Sequence, residues 1–342
     1  MANKVIIIAE AGVNHNGDIN LAKKLIEEAA HSGADYVKFQ TFKAKNLVSK
    51  TAQKADYQIK NTNGGDDSQF QMLKNLEMPF EWHFELKDYA EKLGIKFLST
   101  GFDEEAINFL NKLGVDLFKI PSGEITNKPY IIDVAEKGKP IILSTGMATL
   151  EEVIVAVDVL VAHGITKKMI TVLHCNTEYP TPMQDVNLMA MLHIKSQLGV
   201  EVGYSDHTLG IEVAVAAVAL GAIVIEKHFT LDKNMDGPDH LASLEPKELK
   251  MMVQSIRNVE LAISGTGFKE PSDSEVKNRI VARKSIHLKK DVFAGHIILF
   301  SDLIMKRPGD GISPMKVELV IGKRVNWDLK KGDKLKIKDL KG

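Results

Sequence analysis

Short apolar segments alternate with longer amphipathic segments through the first 260 residues of the chain. The apolar segments have the length and β-branched content of buried strands, and they predict eight strands at 5–9, 36–40, 96–99, 116–120, 140–144, 169–174, 201–204 and 222–226. Amphipathic stretches closed by glycine lie between them and predict helices, among them 21–30, 85–93, 104–113, 150–161 and 211–220. Eight strand–helix units in about 260 residues predict a closed (β/α)8 barrel, or TIM barrel. An open doubly wound sheet is the alternative, but no Gly-x-Gly-x-x-Gly motif follows the first strand.

The chain changes character after residue 264. Residues 265–282 are rich in Gly, Ser, Pro and charge, which predicts a linker between a barrel domain at 1–264 and a small β-rich domain at 283–342. Within this tail, residues 295–303 and 332–340 align at an offset of 37, glycine on glycine and Asp-Leu on Asp-Leu. A module of about 60 residues buries little surface alone, so we expect the tail to dock onto another surface.

Composition excludes several classes of protein. The 342 residues are 44% hydrophobic and 26% charged, which supports a large folded core and argues against a disordered chain. No apolar run approaches the roughly 18 residues of a membrane span, and the run at 5–8 is too short for a secretory signal, so we expect a cytoplasmic protein without a membrane partner. The single cysteine, Cys175, excludes an internal disulfide and a Cys-x-x-Cys site.

Charge is distributed unevenly along the chain. From Arg283 onward there are 15 Lys and Arg against 7 Asp and Glu, whereas the preceding residues carry 29 against 38. A basic tail on an acidic body indicates a nucleic acid or a small anionic ligand. The basic residues alternate with Val, Leu and Ile and form no known recognition motif, so we expect no nucleic-acid partner.

Polar residues concentrate where the predicted strands end, which is where TIM barrels build their active sites. They include Glu10, Lys38, Gln40, Thr100, Lys119, Ser122, Glu124, Ser144, Thr177, Tyr179, Ser205, His207, Glu226 and His228. Any one strand-end serine or threonine is more often a turn or cap residue. Their convergence from all eight strands is what predicts a site.

Two lysines predict that this site binds an anion. Lys38 and Lys119 lie within predicted strands, and a lysine that faces the barrel interior is strongly destabilised without a negative partner. That partner is either a ligand or a carboxylate, Glu10 or Glu124. Nearby hydroxyls supply the donors that a phosphate or carboxylate requires, at Ser122, Ser144 and Ser205.

Two histidines predict a divalent metal. His207 and His228 are 21 residues apart and follow adjacent predicted strands, so their rings can meet at the barrel mouth. A pair of buried structural histidines is the alternative. Carboxylates close in sequence, including Asp239, favour Mn²⁺, with Mg²⁺ or Co²⁺ also possible, over a closed structural zinc site.

Seven segments in chain order resemble the sialic acid synthase family: 9–17, 118–124, 143–147, 179–182, 203–208, 226–230 and 237–239. The tail, with 306–311, resembles that family's antifreeze-like (SAF) domain, so the resemblance covers essentially the whole chain. Within the family, 43–46 and 229–246 most resemble the members that make N,N'-diacetyllegionaminate. The sister activities make N-acetylneuraminate and pseudaminate.

The resemblance implies condensation of phosphoenolpyruvate with an N-acylated hexosamine, 2,4-diacetamido-2,4,6-trideoxymannose, with release of phosphate. The implied ligands of the phosphoenolpyruvate carboxylate are Lys38 and Thr100, and those of its phosphate are Lys119, Ser122, Ser144 and Ser205. The implied sugar contacts are Gln40, Glu124, Thr177 and Tyr179, with Arg307 reaching over from the second subunit of a domain-swapped homodimer. The implied metal ligands are His207 and His228, Asp239 is implied to orient a metal-bound water, and Glu10 and Glu124 are candidates for proton transfer. Gly101 and the pair Asn176 and Thr177 depart from the residues usual in the family.

Two other functions fit parts of the sequence. A Schiff-base aldolase would use Lys38 or Lys119 as its nucleophile, and that requires a depressed lysine pKa. A carbohydrate- or ice-binding protein would use the tail alone.

Overall fold

The computed structural model describes residues 4–49, 51–55, 58–59 and 68–341. The chain divides into two compact units, Met1–Gly265 and Thr266–Gly342. Among the described residues, no helix combines the length and the apolarity that a bilayer-spanning segment needs.

The first unit is built on eight parallel strands. They are β1 (Ile6–Gly12), β2 (Tyr36–Thr41), β3 (Lys96–Gly101), β4 (Phe118–Ile120), β5 (Ile141–Ser144), β6 (Ile170–His174), β7 (Glu201–Asp206) and β8 (Val224–His228). Their order is β3-β2-β1-β8-β7-β6-β5-β4, with β1 paired to both β2 and β8. The outermost strands β3 and β4 lie against each other, which closes the sheet. The predicted TIM barrel is confirmed, and the open doubly wound sheet is wrong.

Helices connect the strands of the first unit, and one further helix lies near the start of the second unit. Those described are α1 (Ile19–Ser32), α2 (Ala44–Leu47), α3 (Gln69–Leu76), α4 (Phe80–Lys92), α5 (Glu104–Leu113), α6 (Lys128–Glu136), α7 (Leu150–Ala162), α8 (Met189–Leu198), α9 (Glu212–Ala219), α10 (Pro246–Ile263) and α11 (Asp273–Ala282). The apolar faces of α1 and of α4 to α10 pack against the outward-facing strand residues to form the main core. Helix α11 lies inside the segment that we predicted to be a linker, where Ser272 and Glu275 form a capping box.

Several strands extend further than predicted. The prediction relied on runs of apolar residues, and the residues that continue these strands are mostly polar. The sequence places the end of β8 at Glu226, for example, whereas the strand continues to His228. Alternation of side chains therefore continues into the polar residues, and it sends Glu226 and His228 to the same inner face.

The barrel interior consists of an apolar layer below a polar layer. A buried apolar cluster fills the inside of the barrel with Ile8, Tyr36, Leu98, Leu117, Ile142, Leu173 and Val224. Two residues further along the same strands come Glu10, Lys38, Thr100, Lys119, Ser144, Cys175 and Glu226. In β7 the corresponding pair is Gly203 and Ser205, and a Cβ on Gly203 would lie 2.7 Å from Leu173 Cδ2. The apolar layer closes the barrel from below, so the polar layer forms the floor of a site.

The second unit has its own small core and two antiparallel strand pairs. Strand β9 (Ser285–Leu288) pairs with β10 (Leu303–Lys306), and β11 (Arg324–Val325) pairs with β12 (Leu340–Lys341). The sequence duplication is visible in the structure. Each copy ends in a 3-10 turn, Phe300–Asp302 and Ile337–Asp339, in which the aspartate accepts a hydrogen bond from the backbone nitrogen three residues earlier.

Candidate active site

A cavity of about 370 Å³ lies at the carboxyl ends of the strands. Every strand, or the loop directly after it, contributes to the lining. Of the predicted site residues, the cavity brings together Glu10, Lys38, Gln40, Thr100, Lys119, Ser122, Ser144, Thr177, Tyr179, Ser205, His207, Glu226 and His228. Three predicted site residues do not line it: Glu124, Asp239 and Arg307.

Two glutamates and two lysines form a buried charge network in the cavity floor. Lys38 Nζ lies 2.6 Å from Glu10 Oε2 and 3.6 Å from Glu226 Oε2. Lys119 Nζ lies 3.1 Å from Glu226 Oε1. The four side chains are between 2% and 5% exposed. Lys38 thus has the carboxylate partner that the sequence suggested, whereas Lys119 contacts Glu226 and not Glu10 or Glu124.

The pKa values of the two carboxylates in the network are shifted in opposite directions. Burial raises the pKa of Glu10 to about 7, although Lys38 acts in the opposite direction. Burial also disfavours ionised Glu226, but Lys119 and Lys38 outweigh it and hold the pKa of Glu226 below its ordinary value. Near neutral pH Glu226 is therefore ionised, whereas Glu10 is only partly ionised. The negative charge of the two carboxylates is then smaller than the positive charge of the two lysines. The floor is therefore suited to an anion.

Hydroxyl groups around the network are available to a ligand. Ser144 Oγ and Thr177 Oγ1 are buried and have no hydrogen-bond partner among the described residues. Thr100 Oγ1 accepts a bond from Lys38 Nζ at 3.2 Å, and Ser205 Oγ donates to Glu226 Oε1 at 3.0 Å. Buried hydroxyls normally have a hydrogen-bond partner. The unpaired hydroxyls of Ser144 and Thr177 therefore indicate that a ligand in the cavity accepts hydrogen bonds from them.

Two close-packed glycines shape this part of the site. A Cβ on Gly146 would lie 2.0 Å from Thr177 Oγ1 and 2.9 Å from Ser122 Oγ, so glycine makes room for both hydroxyls. Gly101, which departs from the family pattern, ends β3 against helix α5. A Cβ there would lie 3.3 Å from the Ile107 backbone nitrogen, so glycine allows the helix to pack closely against the strand end.

The two predicted metal ligands lie side by side. The ring centroids of His207 and His228 are 5.4 Å apart, and Tyr179 packs on His207 with a centroid distance of 4.1 Å. His207 Nδ1 donates to the Asn176 carbonyl oxygen, which leaves Nε2, 3.3 Å from Ser205 Oγ, to face the cavity. Burial lowers the pKa of His207 to about 4 and lowers that of His228 well below its ordinary value. Both imidazoles are neutral at neutral pH, as metal ligands must be.

The residues present fit a divalent metal with open coordination positions. Buried His228 Nδ1 has no hydrogen-bond partner among the described residues, and its neighbouring carboxylate oxygen, Asp239 Oδ2, is 3.9 Å away. The part of the chain that the structure describes contains no cluster of three or more His, Cys, Asp or Glu arranged around a metal. Two neutral imidazoles without a third protein ligand suit a metal that also binds substrate or water, and not a closed structural site.

The three remaining predicted site residues lie elsewhere. Asp239 is buried behind His228, and burial raises its pKa to about 6. Glu124 ends the 3-10 turn Ser122–Glu124 and accepts a bond from Asn127 Nδ2 at 2.6 Å. Arg307 is exposed in the second unit, directly after β10.

Six cavity residues are not among those predicted from the sequence: Gln69, Phe102, Pro121, Gly123, Met147 and Cys175. Cys175 occupies the inward position two residues after Leu173, so the alternation of β6 could have identified it. Met147 has the left-handed φ of 66°, rare for a bulky residue, and is 73% exposed at the cavity. Phe102 lies two residues after inward-facing Thr100, so the alternation of β3 could likewise have identified it. Gln69 is the first residue of helix α3, and nothing in its local sequence relates it to the strand ends.

Known proteins resemble the chain along nearly its whole length. The NeuB family matches residues 25–268, and the SAF domain matches residues 283–341. The N,N'-diacetyllegionaminic acid synthase of Campylobacter jejuni is 57% identical over 94% of this chain and 95% of its own length. The N,N'-diacetyllegionaminic acid synthase of Legionella pneumophila is 52% identical over 96% and 92%.

A solved structure supports the same relationship. The N-acetylneuraminic acid (sialic acid) synthetase of Leptospira borgpetersenii, in complex with citrate, superimposes with a TM-score of 0.71 at 36% identity, over 81% of this chain and 90% of that one. A TIM barrel that gathers a polar site at its strand ends, followed by an SAF domain, defines the class. The chain belongs to the NeuB family, which confirms the resemblance that its motifs indicate. Its homologues are nonulosonic acid synthases, and the chain is an enzyme of that kind.

Proposed function

We propose that this enzyme condenses phosphoenolpyruvate with 2,4-diacetamido-2,4,6-trideoxymannose to give N,N'-diacetyllegionaminate and inorganic phosphate, with Mn²⁺ as the preferred metal. The observation that carries the proposal is the buried pair Lys38 and Lys119 beside the neutral pair His207 and His228, in one cavity of a NeuB family chain. The two relatives named above support the choice of sugar, because their identity to this chain exceeds 50% over more than nine-tenths of each protein.

The anionic substrate would lie over the cavity floor. Lys38 and Thr100 hold the carboxylate of phosphoenolpyruvate, and Lys119 with the nearby serines Ser122, Ser144 and Ser205 holds its phosphate. Charge-assisted hydrogen bonds from ammonium and hydroxyl groups are the interactions that bind such dianions. In the free enzyme, Glu10 and Glu226 pair with the two lysines and orient them until the substrate arrives.

The reaction forms one carbon–carbon bond and breaks one carbon–oxygen bond. C3 of phosphoenolpyruvate attacks the aldehyde carbon of the open-chain sugar, water adds at C2, and the C2–O bond then breaks with its electron pair leaving on phosphate. Lys119 and the serines stabilise the departing phosphate electrostatically. Glu10 can hold or give up a proton at neutral pH, because burial raises its pKa to about 7.

His207 and His228 would hold the divalent metal, which when bound polarises the sugar aldehyde as a Lewis acid. Asp239, whose Oδ2 lies 3.9 Å from His228 Nδ1, would orient a water molecule near the metal. Gln40, Thr177 and Tyr179 line the remaining cavity wall and would contact the sugar, with Glu124 at a greater distance.

The proposal includes a domain-swapped homodimer in which Arg307 of the partner subunit completes the sugar site. Its support is the charge distribution: a tail with net positive charge complements a barrel with net negative charge. A cytoplasmic location stays a prediction.

A Schiff-base aldolase is disfavoured by the charge network. Burial opposes the Lys38 ammonium, but Glu10 and Glu226 outweigh it and raise the Lys38 pKa, which is the reverse of what an amine nucleophile needs. Borohydride treatment with pyruvate should therefore leave Lys38 unmodified.

The deciding experiment compares sugars side by side. Phosphate release is measured with phosphoenolpyruvate and Mn²⁺, using either 2,4-diacetamido-2,4,6-trideoxymannose or N-acetylmannosamine. We expect kcat/KM to be at least about 100-fold higher for the diacetamido sugar, because buried polar groups that meet the second acylamino group stay unpaired without it. A higher rate with N-acetylmannosamine would make the enzyme an N-acetylneuraminate synthase, and no phosphate release with either sugar would reject the proposed substrates.

A further inference from the structure

A second charged pair lies in the barrel wall directly behind the two histidines. Asp206 and Lys227 are paired in register on β7 and β8, and each immediately precedes a histidine, His207 or His228. Strand alternation turns this pair away from the cavity, and neither residue lines it. Both side chains are 0% exposed, so this is the most deeply buried ion pair of the described residues.

The pair fixes the backbone on either side of His207. Lys227 Nζ lies 2.9 Å from Asp206 Oδ2 and donates to the Thr208 carbonyl oxygen at 2.5 Å. Asp206 Oδ1 accepts bonds from the Thr208 backbone nitrogen at 2.9 Å and from Thr208 Oγ1 at 2.7 Å. Three hydrogen bonds therefore converge on Thr208, and His207 lies between two immobilised residues.

Packing alone does not account for these charges. The preceding residues of the same strands that face outward carry no charge and belong to the main core: Val202, Tyr204 and Ile225. A buried ion pair generally gives no more stability than apolar side chains of similar volume, because removing both charges from water is costly. On the outward faces of β7 and β8, charged residues in the buried part of the strands come at the step next to the histidines.

We propose that Asp206 and Lys227 are a positioning pair that holds His207 and His228 in the relative geometry required to bind the metal. This inference rests on the metal site of the proposed function. The pair touches neither substrate nor metal. It positions His207 through the hydrogen bonds to the Thr208 backbone. It positions His228 relative to His207 by fixing the register of β7 and β8. Groups that orient metal ligands typically contribute 10–100-fold to metal affinity.

The test measures Mn²⁺ affinity of the full chain without substrates, by titration calorimetry, alongside the thermal melting temperature in EDTA. Lys227→Met should weaken Mn²⁺ binding by about 10–100-fold. At saturating Mn²⁺ its kcat should recover to within about threefold of the wild type, because the ligands themselves are intact. The matched control is Lys96→Met, which removes a lysine paired with Asp116 at the opposite end of the barrel and should leave Mn²⁺ affinity unchanged.

Two further variants keep the test decisive if Lys227→Met folds poorly. The double variant Asp206→Asn with Lys227→Met removes both charges but keeps an acceptor for Thr208, and it should bind Mn²⁺ at least about tenfold more weakly. Thr208→Val is isosteric and removes a single hydrogen bond, so it should weaken binding by only a few-fold. Folded variants that bind Mn²⁺ as tightly as the wild type would overturn the positioning role.

Different results would reject the metal site and the positioning role. Absence of Mn²⁺ binding to the wild type, or unchanged binding to His207→Ala, would reject the metal site itself and the positioning role with it. Normal wild-type binding that is lost in His207→Ala but intact in the Lys227 and Asp206 variants would reject the positioning role alone.

Discussion

The barrel unit and the tail unit both bury acidic side chains, but the surroundings of these side chains differ. In the tail, Asp302 accepts bonds from the Leu299 backbone nitrogen and from His296, and it pairs with Lys290. All three of these partners are groups of the tail itself, and none of them lines the cavity. In the barrel, Glu226 lies between two buried lysines at the floor of a cavity.

The difference separates structural charges from functional ones. A carboxylate whose bonds go to the neighbouring backbone closes a turn, and nothing further has to bind for it to be satisfied. Charges that face an open cavity beside unpaired hydroxyls, as at Ser144 and Thr177, are incompletely satisfied until a ligand arrives. Burial alone does not distinguish the two cases.

The largest effect should follow loss of either histidine in the barrel. His207→Ala and His228→Ala should each reduce kcat by about 10³-fold, or roughly 4 kcal/mol, because the metal's Lewis acidity is lost. Phosphate release at saturating substrates and Mn²⁺ measures this loss, and circular dichroism should show the fold unchanged. The matched control is His193→Ala, at an exposed position of helix α8, which should be fully active. Retention of more than a tenth of wild-type activity would contradict the assignment of that histidine.

An intermediate effect, on stability and not on chemistry, should follow Asp302→Asn in the tail. Loss of its charge-assisted bonds should cost about 2 kcal/mol and lower amide-exchange protection in the tail core about 30-fold. Asp339→Asn is the matched control, since Asp339 caps the equivalent turn but has no ion pair among the described residues, and its effect should be smaller. Equal effects for both would show that the ion pairs contribute nothing.

The pH dependence checks the origin of this stability. Burial alone would raise the pKa of Asp302, but bonds from His296 and Lys290 outweigh it, and its pKa lies below the ordinary 3.8. A lowered pKa means that the stabilisation is fully present above pH 3.8 and is lost as the pH falls through the folded-state value. The difference between Asp302→Asn and the wild type should therefore shrink below pH 3.8.

The smallest effect tests whether the tail is purely structural. Arg307→Ala should raise the KM for the sugar about tenfold, or about 1.4 kcal/mol, while that for phosphoenolpyruvate changes less than twofold. Steady-state kinetics with each substrate varied in turn give both values, and Lys316→Ala, at another exposed tail cation, is the control. Equal changes in both KM values would argue against contact with the sugar.

Much of the fold and site could be predicted from the sequence. The eight apolar segments identified the strands, because a strand covered by helices on one side and filled by side chains on the other is apolar on both faces. Strict alternation then put Lys38 and Gln40 on one face, and likewise Glu226 and His228, with no knowledge of tertiary contacts. Gln69, which enters the cavity from the start of helix α3, has no comparable periodic signal that relates it to the strand ends.

The sequence by itself determined which side chains face inward, because the period of a strand fixes its faces. Only the tertiary structure decided which charges meet. Lys119 on β4 pairs with Glu226 on β8, although these strands are not neighbours in the sheet. Their contact crosses the barrel interior, and its length depends on the closure of the sheet and on the apolar layer beneath. Neither is encoded in the spacing of residues along the chain.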